Sequence, residues 1–298
     1  MSLRNRVTFP RFAAFTTGLT LTLVMLGVYT AATGSGLACS AQWPLCDNGL
    51  LPQTIPSFIE WFHRLVAMVT GWFIIGTAIW SWRARSHAPR NGARSHAARS
   101  IGRRTRIAAT LAVLLLPLQI SIGAVTVTLS GLFPEGYSPP TQGAHLVVAL
   151  TIFSLLVWTT LSARDETGPA LARVRRVLLV ALGALVAATL TSRVFTPTPY
   201  GPAGQALFYG TSLLAVAALL AATYWLADST VPRLRLATST ALALLFVGML
   251  LGRDLVFYTP AVRLVNGAAF LLAGAIVAAV AVLARRARTD DRLGSVAS

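Results

Sequence analysis

Long runs of apolar residues dominate this chain and limit the folds that it can adopt. Roughly 20 consecutive apolar residues in a helix cross a bilayer core of about 30 Å. Eight such runs predict helices near residues 12–33, 58–82, 107–130, 143–162, 177–195, 205–227, 236–252 and 262–284. With 55% hydrophobic and 11% charged residues, the composition is too apolar for an ordinary soluble domain. The runs do not alternate as β-barrel strands do, so we expect an all-α integral membrane protein with eight transmembrane helices.

The basic residues predict the orientation of these helices. All 25 are arginines, and most lie before the first run, between runs two and three, four and five, and six and seven, or after run eight. Because Arg-rich loops stay in the cytoplasm, we expect both termini there, in a multi-pass protein of the cell membrane. The net charge of +16 is then explained by topology and anionic lipid, and no nucleic-acid partner is expected. His87 and His96 are interpreted as ordinary residues of the longest Arg-rich loop.

A hairpin at residues 33–46 follows the first run, which is too long for a signal-peptide core and is expected to remain as helix one. The hairpin holds both cysteines of the chain, Cys39 and Cys46, and the arginines assign it to the outer side of the membrane. An oxidising location favours a disulfide between them. Unpaired thiols are the alternative.

The second run begins with three ionisable residues close together, Glu60, His63 and Arg64. Charged groups at this depth in a membrane protein are costly, so they require a partner or a function. Glu60 and Arg64 are four residues apart, a spacing at which they can form an ion pair on a helix. The alternative is that His63 is a metal ligand with the carboxylate of Glu60 beside it.

A second histidine, His145, lies at a similar depth near the start of the fourth run. Helices two and four are expected to run inward from the same surface, so His63 and His145 can bind one metal from opposite sides if the helices are neighbours. Imidazole is a good ligand for haem iron, and the apolar walls of a helix bundle suit a porphyrin. This pair therefore predicts a haem between helices two and four.

The two halves of the chain have a similar order of helices and loops, which predicts two pseudo-repeated four-helix bundles. We expect the first bundle in residues 1–176 and the second in residues 177–298. Aligning the halves sets Ala206 opposite Glu60 and Tyr209 opposite His63, and it sets Val265 or Asn266 opposite His145. The second half contains no histidine, so Tyr209 and Asn266 would mark a degenerate second site.

Four motifs in the first half resemble those of the haem A synthases of the COX15/CtaA type. They are TGSGLAC followed by WPLC at residues 33–46, EWFHR at 60–64, QISIGAVTV at 119–127 and GAHL at 143–146. The eight-run layout extends the resemblance over the whole length, although the second half matches only in hydropathy and topology.

The resemblance implies an oxidoreductase that converts haem O to haem A by oxidising the C8 methyl group to a formyl group, as a step in making the cofactor of terminal oxidases. By motif match, His63 and His145 would bind the iron of the haem and Glu60 would act in the chemistry beside it. Cys39 and Cys46 would form the disulfide of the family. Arg64 would keep Glu60 ionised or bind a haem propionate; as an alternative, it reaches to the membrane interface.

The second half departs from the family pattern, in which another histidine pair holds a haem b. We expect no bis-histidine haem there, so electrons would come from an external donor. The alternative function is a non-catalytic haem-binding or oxidase-assembly protein of the same family. Expected partners are haem O, its synthase and membrane lipid, and homo-oligomerisation stays open. Arg193, Arg253 and Arg263 lie on the outer side and are candidates for binding anions, with pairing to Asp254 as the alternative.

Overall fold

The computed structural model describes residues 7–39, 42–84, 101–129, 138–164, 170–195, 197, 199–227, 231–253 and 256–296. Within these ranges the regular structure is helical, with eight long helices and a short 3₁₀ turn at Ser35–Leu37. The helices are α1 (Phe9–Ala32), α2 (Ile55–Arg83), α3 (Arg103–Thr128), α4 (Pro139–Ser162), α5 (Ala170–Leu190), α6 (Pro202–Trp225), α7 (Pro232–Leu251) and α8 (Pro260–Val296). The predictions for His87, His96 and Asp254 fall outside the described residues.

Each predicted run corresponds to one helix, but seven of the eight helices described are long and apolar enough to cross a membrane. The exception is α5, whose first turns carry Arg173, Arg175 and Arg176. These arginines shorten its apolar stretch. The chain is therefore an all-helical, multi-pass membrane protein. The eight predicted helices are present in the described ranges, and seven of them are long and apolar enough to span a membrane.

Proline explains why several helices begin before the apolar run does. Pro occupies one of the first two positions of α2, α4, α6 and α7, where its fixed φ suits the helix and its missing N–H is not needed. At the start of α2, the hydroxyl of Thr54 also accepts a hydrogen bond from the Ser57 N–H at 3.2 Å. As a result, His63 and His145 lie about two turns inside their helices.

The chain forms two compact units, Met1–Asp165 and Glu166–Ser298. In the first unit, α1 packs against α2, α2 against α3, α3 against α4, and α4 against α1. In the second unit, α5, α6, α7 and α8 form a ring with the same order of neighbours. Helices α2 and α4 therefore lie diagonally across the first ring, which answers the question of their adjacency that the sequence left open.

In the first ring, α2 and α3 are more deeply buried towards one end than along the stretches that approach the other end. We call the end where α1 finishes and α2 begins the loop end. Towards the opposite end, Ile74, Ala112, Ile152 and Leu156 form a buried cluster. At the loop end, none of the residues at 61–69 in α2 and none at 113–125 in α3 is buried. Both predicted histidine positions lie in this less buried part, which we call the open half.

Candidate functional site

The predicted disulfide is present, and it closes the hairpin that joins α1 to α2. Cys39 and Cys46 are bonded to each other and are both buried. The described part of the hairpin rests on the first turns of α2, where the Trp61 indole N–H donates to the Pro44 carbonyl at 3.2 Å. The hairpin therefore covers the loop end of α2.

Glu60 is the residue of α2 that holds this hairpin most directly. Its side chain is buried, and its Oε2 accepts a hydrogen bond from the Cys39 backbone N–H at 2.6 Å. Its Oε1 forms an ion pair with Arg64, and Arg64 Nη1 donates to the Gln42 carbonyl at 2.6 Å. The predicted pairing of Glu60 with Arg64 is present, and both side chains also bind backbone atoms of the hairpin.

Two further side chains that the sequence did not single out complete this contact. The Ser57 hydroxyl donates to Asp47 Oδ1 at 2.9 Å, and Asp47 Oδ2 accepts the Gln53 N–H at 2.7 Å. Asp47 directly follows Cys46 and is the only acidic residue in the sequence between α1 and α2. Its position next to a cysteine is the sequence feature that could have identified it.

His63 lies on α2 and His145 on α4, which are diagonally opposite helices of the first ring, and both residues lie about two turns from the start of their helix. Each side chain is only partly buried, because each faces the open half. Nδ1 of His63 is buried and has no hydrogen-bond partner within the described ranges. A buried imidazole nitrogen without a partner is costly unless a ligand meets it.

A glutamine from α3 contacts His145. Gln119 Nε2 and His145 Nε2 are 3.1 Å apart, so a nitrogen of this imidazole is already engaged. Gln119 lies in one of the four sequence motifs but carried no predicted role. It is a residue whose function only the packing of α3 against α4 reveals.

These features fit a haem held between the two imidazoles. The loop end has an imidazole on each of two diagonally opposite helices, a His63 Nδ1 without a hydrogen-bond partner in the described ranges, and stretches of α2 and α3 in which no residue is fully buried. Haem needs two axial ligands rather than a cluster of three or more. No group of three or more His, Cys, Asp or Glu side chains that could hold a metal ion is found in the described ranges.

In the second unit, buried side chains occupy the positions that align with His63 and His145. Tyr209 is fully buried, and its hydroxyl donates to the Met249 carbonyl at 2.7 Å. Phe208 is also fully buried and lies edge-on to Tyr209 and Phe270, at 5.1 Å and 5.9 Å between ring centroids. The interior here is a packed aromatic core.

Aligning the two halves left either Val265 or Asn266 opposite His145. The structure distinguishes these two residues by their burial. Val265 is 54% exposed, whereas Asn266 is fully buried and donates from Nδ2 to the Tyr258 hydroxyl at 3.0 Å. Asn266 is therefore the residue that faces the interior of the second ring.

The outer arginines of the second unit contact backbone carbonyls and aromatic rings. Arg193 Nη1 donates to the carbonyls of Arg253 and Val256 at 2.8 and 3.0 Å. Its guanidinium lies over the Tyr258 ring at 4.2 Å. Burial raises the pKa of Tyr258, although Asn266 and nearby arginines oppose this. These contacts give Arg193 a structural role.

The fold and the site define a class of protein. It is a multi-pass helical membrane protein in which a ring of four helices presents two opposed imidazoles, under a disulfide-bonded hairpin. Residues 53–192 match the model of the COX15-CtaA family, described as cytochrome oxidase assembly protein. The matched stretch is just under half of the chain and includes Glu60, His63 and His145, so the chain is similar to this family over that stretch.

Relatives of known function match about half of the chain. A heme A synthase from Bacillus licheniformis is 31% identical over 150 residues, 48% of this chain and 43% of that protein. A heme A synthase from Shouchella clausii is 31% identical over 156 residues, 51% of this chain and 45% of that protein. A protoheme IX farnesyltransferase from Halobacterium salinarum is 34% identical over 142 residues, 46% of this chain and 27% of that protein. The chain thus spans less than half the length of each relative.

Proposed function

We propose that this protein is a haem A synthase-like oxidoreductase that converts haem O to haem A by oxidising the C8 methyl group to a formyl group. The observation that carries the proposal is the presence of two imidazoles, His63 on α2 and His145 on α4, at the loop end of diagonally opposite helices of the first ring. Both residues lie in the stretch that matches the family, and relatives over this length are named heme A synthases.

In this proposal His63 and His145 bind the substrate haem. The haem would supply the iron that binds the two imidazoles. It also carries the methyl group that is oxidised. The orphaned Nδ1 of His63 and the open faces of α2 and α3 support this position. The surrounding helices exclude water from the apolar porphyrin, as helix bundles do for their cofactors.

Glu60 would accept and pass on protons at its carboxylate during the oxidation. It lies one helical turn from His63, on the same face of α2. Its oxygens are held by the Cys39 N–H and by Arg64, so the carboxylate has a fixed position. Arg64 serves this role by pairing with Glu60, which leaves haem propionate binding as the less supported role for it.

The second unit would be a scaffold without a bis-histidine haem. The buried side chains of Phe208 and Tyr209 support this, because they fill the interior where the first ring is open. Electrons would then be exchanged with an external redox partner. We propose that the two units, divided near the expected boundary at residue 176, are eroded repeats of one another.

The setting of the reaction is also a proposal. The arginine distribution supports cytoplasmic termini in the cell membrane. A haem O synthase is the proposed supplier of the substrate. In support, one relative is named a protoheme IX farnesyltransferase.

A second candidate function is a non-catalytic haem-binding or assembly protein of the same family. The observation in its favour is that both oxygens of Glu60 are engaged by the hairpin and by Arg64. In that function Glu60 would only tie the hairpin to α2.

One experiment separates the two functions. The full chain is expressed with a source of haem O, and the haems extracted from the purified protein are identified by chromatography and mass. We expect haem A from the wild type and bound haem O without haem A from Glu60→Gln, which keeps the size of the side chain and one acceptor oxygen but removes the charge. Haem O alone in the wild type would establish the binding function, and haem A at the wild-type level in Glu60→Gln would show that Glu60 moves no proton.

A further inference from the structure

Two glycines lie directly against the two imidazoles of the candidate site. A methyl group at Gly27 in α1 would lie 3.0 Å from Cε1 of His63. A methyl group at Gly123 in α3 would lie 3.2 Å from Cε1 of His145. Both separations are shorter than ordinary van der Waals contact, so each imidazole rests on the backbone of a neighbouring helix, where only glycine leaves room.

This arrangement is specific to the two histidines within the first ring. At Gly18 in α1, Gly71 in α2 and Gly143 in α4, an added methyl group would meet nothing within 4 Å. Glycine is unfavourable inside a helix compared with alanine. The two positions that contact imidazoles therefore have a packing reason for glycine that the three others lack.

The contacts also differ between the two histidines. His63 has three ring atoms within 4 Å of the added methyl group, the nearest at 3.0 Å. His145 has two, the nearest at 3.2 Å, and its ring is also held by Gln119. His63 is therefore placed mainly by its glycine, whereas His145 is placed by a glycine and a hydrogen bond.

We propose that Gly27 and Gly123 are positioning residues that set the depth and ring orientation of His63 and His145 towards the haem. This inference rests on the proposed haem site. Groups that orient a metal ligand commonly change metal affinity by 10–100-fold when they are altered. A methyl group at either position would displace the imidazole from the neighbouring helix and change the orientation of a ring that would bind the haem iron.

The test uses the purified full chain in detergent, titrated with ferric haem b. The variants are Gly27→Ala and Gly123→Ala, with Gly18→Ala and Gly143→Ala as controls, since the controls add the same methyl group where there is space. Haem affinity, the low-spin electron paramagnetic resonance spectrum and the midpoint potential are measured. These spectra and potentials report on the axial ligands, and a defect in helix packing alone would not move them in protein that still binds haem.

We expect Gly27→Ala and Gly123→Ala to weaken haem binding about 10-fold and to shift the spectrum and the potential, with the larger effect at Gly27. The controls should match the wild type. Identical spectra and affinities in all four variants would show that Gly27 and Gly123 do not position the two histidines. The proposed haem site would not be affected by that result. A wild-type protein without a bis-imidazole spectrum would overturn the haem site itself and this inference with it. If Gly27→Ala fails to fold, the milder Gly123→Ala decides the outcome by the same criteria.

Discussion

At the scale of single residues, the histidines and Glu60 have different kinds of surroundings. His63 and His145 face open space and are partly buried, whereas Glu60 is buried and bound on both carboxylate oxygens. A buried carboxylate with a hydrogen bond and an ion pair is satisfied. A buried imidazole nitrogen without a partner is not, which is why the ligand site is assigned to the histidines.

Replacing either histidine should abolish the low-spin haem. In His63→Ala or His145→Ala, one axial nitrogen is lost, so the absorption spectrum of the haem-loaded protein should change from six-coordinate low-spin to high-spin. Tyr209→Phe is the control, since it removes a hydroxyl that donates to the Met249 carbonyl within the second unit. Retention of the low-spin spectrum in both histidine variants would show that the ligand assignment is wrong.

At the scale of elements, the hairpin and α2 behave as one structure. The disulfide fixes Cys39, whose N–H donates to Glu60, and Arg64 donates to the carbonyl of Gln42, which lies near the middle of the cystine loop. Local sequence patterns could place the cysteines in a hairpin but could not show which side chains of α2 receive it. That depends on how the hairpin folds back over the first turns of the helix.

Removing the disulfide should loosen the hairpin. The cystine links residues seven apart, and closing a loop of this size is worth about 2 kcal/mol in the chain-entropy model. In Cys39→Ser/Cys46→Ser we expect faster hydrogen exchange at residues 42–54 and a lower unfolding temperature, with α8 as the internal reference.

The double variant is preferable to a reductant because both cysteines are buried. A reductant should cause no further change in it. Unchanged exchange at residues 42–54 would show that Glu60, Arg64 and Ser57 hold the hairpin without help from the disulfide.

At the scale of the whole molecule, the two units differ in how their interiors are filled. The first is open at the level of His63 and His145, whereas the second is closed at the level of Tyr209 and Asn266. An aromatic core packed to this degree leaves no room for a porphyrin without a large rearrangement.

We therefore expect one haem for each chain. The iron-to-protein ratio of the purified, haem-saturated protein should be near one, as measured by elemental analysis against quantitative amino-acid analysis. His63→Ala/His145→Ala provides the blank, and its ratio should fall close to zero. A wild-type ratio near two would show that the second unit also binds haem and that its packed core opens to do so.

The sequence alone predicted the eight helices, favoured a disulfide between the two cysteines of one hairpin, and placed His63 and His145 near the starts of their helices. These follow from hydropathy, from residue types and from spacing along one helix, all of which are local. It placed the beginnings of α4, α6 and α7 several residues too late, because hydropathy marks the bilayer core whereas proline marks where the helix begins.

Only the tertiary structure decided that α2 and α4 are diagonal, that Gly27 and Gly123 lie against the imidazoles, and that Glu60 binds the Cys39 N–H. Each of these depends on which helices are neighbours and on how each is rotated about its axis. Those quantities are set by the packing of all four helices together, and no local pattern in the sequence contains them.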